Sequence, residues 1–269
     1  MDADRFWDLI EQARTAAGPA ADEAIRDVDF DLGEIDDLSF DDIDIEALDG
    51  RVTRTGGPGE PTDAEALDNV DLDAEDLDDE DLDEEDITDP VAVALFDLLV
   101  QLPPEEIAAF ENAFEDFRTL ADREDIAAAA TLIEHGLLGD ESFEDFRAGL
   151  VALGRQAYEA ALDNPDSLAD HPMVREIASA PDLRYMSRED LLYVPSHAYA
   201  VSTGREELTF YEYAESLRSG EEVHPAEAEA WEITDEAETR RRLPRLSDLF
   251  FDRSIAIRRA ALAKLGLDS

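Results

Sequence analysis

The sequence predicts an all-α fold: an irregular multi-helix bundle interrupted by a long, largely disordered acidic insertion. Three observations lead there. Apolar residues recur at steps of three and four over most of the chain, which places them on one face of a 3.6-residue helix. Capping residues, glycines and prolines stand where those runs begin and end. The tract from Ala21 to Pro90 breaks the pattern, with 30 acids against 3 arginines (Arg26, Arg51, Arg54).

The first segment, 1–20, carries one amphipathic helix from Asp4 to Ala17. Phe6, Leu9, Ile10 and Ala13 share a face, and Gly18-Pro19 ends it. The acidic segment, 21–90, then repeats an apolar residue every fifth position: Phe30, Ile35, Phe40 and Ile45, and later Leu67, Leu72, Leu77, Leu82 and Ile87. Five residues turn a helix by about 500°, so these side chains drift around it. On a strand an odd spacing alternates faces. A pentapeptide-repeat β-helix needs small residues where Glu75, Glu80 and Glu85 stand. Low hydrophobicity with high charge therefore predicts disorder, split by a flexible Arg51–Pro61 hinge.

The helical core, 91–246, resumes with Val91–Gln101. Pro103-Pro104-Glu105-Glu106 starts a helix whose stripe is Ile107, Phe110, Phe114 and Phe117. Asp125–His135 is alanine-rich and closed by Gly136, with His135 placed to favour the helix dipole. A long helix follows from Ser142, its N-cap, to Asn164-Pro165. Gly149 and Gly154 inside it predict close contact with the helices at 107–117 and 125–135. Ser187–Ser202 is capped by Ser187 and Asp190, faces Leu191, Val194, Ala198 and Val201 inward, and is kinked at Pro195. Glu206–Arg218 is aromatic, Glu221–Ala230 is linker, and Thr234–Leu243 ends in Arg240, Arg241 and Arg242. The last segment, 247–269, holds a basic helix at Ile255–Leu265.

Charge bounds the function. With 71 acids, 21 arginines and the lone Lys264, the net charge of −49 repels phosphate backbones, so direct nucleic-acid binding is not expected. High acid with one lysine fits life in concentrated salt, where self-repulsion is screened. A GC-rich genome produces the same bias. The absence of cysteine excludes disulfides and thiol chemistry. No signal peptide and no apolar run of membrane-spanning length is seen, so a cytoplasmic protein is expected.

Several stretches resemble a bacterial family known as domain of unknown function 4240. They are RFWDLIEQAR at 5–14, LPPEEIAAFENAF at 102–114, and AAAATLIEHGLLGDESFEDFRAGLVALGRQAYEAALDNPDSLAD at 127–170. LLYVPSHAYAVSTG at 191–204 and WEITDEAETRRRLPRL at 231–246 complete them. The resemblance implies an all-α domain and no activity, with the acidic tract inserted after the first helix. The family's Gly-Gly-Cys-Ser-Asp-Asp-Gly-like loop is replaced here by His135-Gly136-Leu137-Leu138-Gly139-Asp140, so no role of that cysteine carries over.

No catalytic constellation stands out. His135, His171, His197 and His224 are scattered singly and read as surface or loop histidines. The Asp-x-Asp pairs Asp71/Asp73, Asp76/Asp78 and Asp81/Asp83 offer hard-cation oxygens but no closed calcium loop. Gly56-Gly57-Pro58-Gly59 lacks the GK[ST] of a phosphate loop. No metal, cofactor or catalytic residue is assigned. Two surfaces remain: an aromatic pocket of Tyr193, Tyr199, Tyr211 and Trp231, and a basic patch of Arg240, Arg241, Arg242, Arg245, Arg258 and Arg259. The reading is a non-catalytic interaction or regulatory module whose acidic arm engages a basic partner or its own basic C-terminus. The alternative is a small-ligand protein or enzyme using the aromatic pocket.

Overall fold

The computed structural model describes residues 1–26, 87–136, 138–218, 220 and 223–264, with side chains described to residue 260. The disorder expected between 27 and 86, the five-residue repeat apart from Ile87, the hinge and the Asp-x-Asp pairs lie outside the described residues. So does Leu265. The ends of the segment, 21–26 and 87–90, are structured rather than disordered, with a turn, a short strand and a helix start.

Helix α1 (Ala3–Ala17) is capped by Asp2, whose carboxylate accepts the Arg5 N–H at 2.8 Å. It buries Phe6, Trp7, Leu9, Ile10 and Ala13. A 3₁₀ turn over Gly18–Asp22 leads to the short strand β1 (Ile25–Arg26). Helices α2 (Pro90–Leu99), α3 (Pro104–Leu120) and α4 (Glu124–Ile133) follow. Phe6 stacks on Phe110 and Phe117 at 4.9 and 4.8 Å, and Trp7 lies against Phe117 and Tyr158. The predicted stripes of α1 and α3 thus meet in one aromatic seam, where buried rings supply large apolar area.

The long helix expected from Ser142 is two helices, α5 (Asp140–Ala152) and α6 (Arg155–Asp163). Gly154 separates them at φ +90°, a conformation that favours glycine. Its missing Cβ leaves room for Glu11 and Arg14 of α1, not for the helices expected there. Gly149 packs against the backbone of Met186 and Ser187 instead of α3 or α4. Ser142 is not the N-cap. Gly139 is, and the Ser142 hydroxyl accepts its N–H at 2.9 Å.

After a 3₁₀ turn (Pro165–Asp170), α7 (Pro172–Ser179), which periodicity missed, precedes strand β2 (Arg184–Tyr185). β1 and β2 pair antiparallel, with Ile25 opposite Tyr185 and Arg26 opposite Arg184. Helix α8 (Asp190–Thr203) runs through Pro195 and buries Leu191, Val194 and Ala198, while Val201 is exposed rather than inward. Helices α9 (Leu208–Leu217), α10 (Glu236–Arg242) and α11 (Pro244–Lys264) complete the fold. Helix α11 starts well before the expected Ile255, so it crosses the boundary placed between 246 and 247. It packs on α4, α10 and the Pro165–Asp170 turn. No described helix is long and apolar enough to cross a membrane.

Candidate functional site

The two ends of the acidic tract come together on one buried arginine. Arg188 is 2% exposed. Its Nη1 pairs with the carboxylate of Asp89, and its Nη2 donates to the carbonyls of Ala21 and Glu23 at 3.0 and 3.2 Å. Ala21 and Glu23 open the tract, and Asp89 stands at its end. The second Asp89 oxygen accepts the N–H groups of Val91 and Ala92 at 2.7 and 2.9 Å, capping α2. Asp190, at the start of α8, accepts the N–H groups of Thr88 and Asp89, both at 2.8 Å. It therefore serves the end of the tract rather than capping its own helix with Ser187. The β1–β2 pair holds the entering strand beside the same place.

Helices α4 and α5 support this clamp from behind. Glu134, 2% exposed, accepts the N–H groups of Met186 and Ser187 through one oxygen, at 3.0 and 3.2 Å. Burial pushes its carboxyl up to about 7, against the lowering effect of those two donors. The Arg188 N–H in turn donates to the Asp145 carbonyl at 3.0 Å. Gly149 is required because a Cβ there would strike the Met186 carbonyl.

An acidic recess of 390 Å³ opens beside the clamp, lined among others by Glu134, Asp145, Tyr185, Glu189 and Asp190. Burial, with the charges of Glu189, Glu144 and Glu141, pushes Asp145 up to about 6. Among the described residues, no three ligating side chains are placed to hold a metal ion.

Tyr193 stands on the rim of this region, 43% exposed, with its hydroxyl donating to Glu189 at 3.4 Å. Tyr211, 45% exposed, is its neighbour across α8 and α9 and is hydrogen-bonded with Ser196. Tyr199 is separate: it is buried against Phe210 and Tyr213, and its hydroxyl accepts from Arg205 at 2.9 Å. Trp231 is elsewhere again, donating to Thr239 and covered by Arg242 at 4.6 Å from its ring. The structure thus leaves Tyr193 and Tyr211 exposed and within electrostatic reach of each other, and does not gather all four aromatics into one pocket.

The basic residues are largely engaged with nearby acids. Arg240 reaches Glu236, Asp248 and Asp252. Arg241 and Arg242 share Glu238, whose carboxyl they hold at about 2, and Arg242 also meets Glu229. Arg245 pairs with Asp170, while its N–H and that of Leu246 donate to Asp166 and cap α11. Arg258 lies where its Cβ abuts Gly136. Arg259 is half-buried and engaged as well.

The histidines differ from expectation. His224 is exposed, but His135 and His197 are buried and His171 is half-buried. His135 is not a charged dipole partner: burial pushes it down to about 4, and its Nε2 lies 2.9 Å from the Arg184 carbonyl. Its φ of 58° is positive for a residue other than glycine. His197 Nδ1 lies 2.9 Å from Glu207.

Sequence reasoning missed Arg188 altogether, because Ser187-Arg188-Glu189-Asp190 reads as an ordinary helix start. Asp89 before Pro90 was the available signal, an N-cap followed by N1 proline. The helices that build the clamp also carry the likeness to known proteins. A family described as a protein of unknown function (DUF4240) matches residues 75–201. The chain resembles that family. The DUF4240 match covers the end of the acidic tract, α2 to α7 and most of α8. The stretches at 5–14 and 231–246 lie outside it. No curated protein and no solved structure matches the chain.

Proposed function

We propose that the chain is a non-catalytic interaction module, a helical body that holds an acidic tract by both ends and presents it to a basic partner. One observation carries this reading: Arg188 ties Ala21 and Glu23, at the start of the tract, to Asp89, at its end. The 60 residues between Arg26 and Ile87 contain 27 acids and 2 arginines. Such a field attracts a basic partner over a range set by ionic strength. Support for a separate partner over the chain's own C-terminus comes from Arg240, Arg241, Arg242 and Arg245, which already face local carboxylates.

The test keeps the chain full length. The acids between 63 and 86 are converted to their amides, and a labelled arginine-rich peptide is titrated at several salt concentrations. The parent should bind with a steep salt dependence that the amide variant loses. Equal affinity and equal salt dependence for both proteins would sink the reading.

A further inference from the structure

We infer that Tyr193 and Tyr211 form the docking surface on the helical body for an amphipathic basic segment of the same partner. This inference rests on the reading of a basic partner and names where on the body it sits. The two rings are exposed neighbours on α8 and α9, and Leu208, 86% exposed, lies one turn before Tyr211 on the same helix face. Large apolar side chains gathered on one face mark a contact site more often than singly scattered ones. Aromatic residues are the usual anchors of such sites.

Charge selects the occupant. Glu189 and Asp145 flank Tyr193, and Glu111 and Glu207 flank Tyr211. Two cations among the described residues face them, Arg118 and Arg218, and both are already held, Arg118 by Glu115 and Arg218 by Asp116 and Glu215. An acidic or neutral apolar segment would leave these carboxylates uncompensated. A lysine or arginine supplies the compensating charge, and its neighbours' apolar groups cover the tyrosine rings, which also favour cations over their faces.

The experiment compares two labelled peptides by fluorescence anisotropy on the full chain. One is nona-arginine. The other has the same charge with a leucine at every fourth position. The parent should prefer the leucine-bearing peptide, and Tyr193→Ser/Tyr211→Ser should lose that preference, by about tenfold in affinity. Both tyrosines are exposed, so an unchanged thermal melt checks that the variant is folded. The tract amide variant should bind both peptides less tightly while keeping the preference for leucine. Equal parent affinity for the two peptides, or an unchanged preference in the tyrosine variant, overturns this inference. If the tyrosine variant changes nothing while the amide variant abolishes binding, the tract reading stands alone. If the amide variant changes nothing while the tyrosine variant fails, the docking surface stands and the tract reading falls. Tighter binding of a glutamate-rich peptide would overturn both.

Discussion

Arg188 and Arg241 are both paired with carboxylates, but their side chains are 1% and 65% exposed. The first sits at the root of the acidic tract, in a layer of buried charges and backbone donors. The second belongs to a rim of arginines and glutamates at the surface of α10. Around Arg188 the Asp89 carboxylate and Ala21 have been taken out of water, so losing the arginine leaves a buried charge uncompensated. Around Arg241 water replaces whatever is removed. The number of ion pairs therefore says little about where this chain is held together, and burial says much more.

The largest expected effect breaks the buried side of that contrast. Arg188→Ala should lower unfolding free energy by about 3–5 kcal/mol in urea denaturation, because it strands the buried Asp89 carboxylate. Arg188→Lys should fall between parent and Ala, since a point charge cannot reach Asp89 and both carbonyls as the guanidinium fork does. A parent-like midpoint for Arg188→Ala would end the comparison.

Glu134 gives the next effect, and its sign is fixed by its pKa. Its folded value, about 7, lies above the ordinary 4.5, so folding takes up a proton between them. The stability it contributes is present below the ordinary carboxylate range and is lost as pH rises through 7. Glu134→Gln stays neutral. The variant should therefore gain on the parent from pH 5 to pH 8, by up to an order of 3 kcal/mol. His135 runs the other way, since its folded value of about 4 lies below the ordinary 6.5. The measurement is thus the difference between variant and parent at each pH, in which His135 cancels. A flat difference would contradict a buried, proton-binding Glu134.

Gly149→Ala sharpens the same region. Its Cβ would push on the Met186 carbonyl, beside the N–H that Glu134 accepts. A loss of about 1–3 kcal/mol by thermal or chemical unfolding is expected. Last, Arg241→Ala should leave the melting temperature unchanged, because its partner Glu238 keeps Arg242 and solvent. A clear drop would mean that the rim works as a network.

Much of the body was legible in the residues. The stripes of Phe6, Leu9 and Ile10 and of Ile107, Phe110 and Phe114 are buried as their spacing requires. The proline-led start of α3 is where Pro103-Pro104 puts it. The site was far less legible. Periodicity merged α5 and α6, because a single glycine at positive φ leaves no mark on apolar spacing. Buried histidines look like surface ones until the packing around them is known. The four aromatics shared a region of sequence, but Tyr199 turned into the core and Trp231 joined α10.

The sequence by itself determined the helical class, the core-facing stripes and the concentration of charge between 21 and 90, since each depends on neighbours within a few residues. Only the tertiary structure decided that Arg188 joins Ala21, Glu23 and Asp89, that Gly149 admits the Met186 carbonyl, and that Tyr193 and Tyr211 stay exposed while Tyr199 is buried. Those contacts span long separations along the chain, and a charge becomes an anchor only when folding removes the water around it.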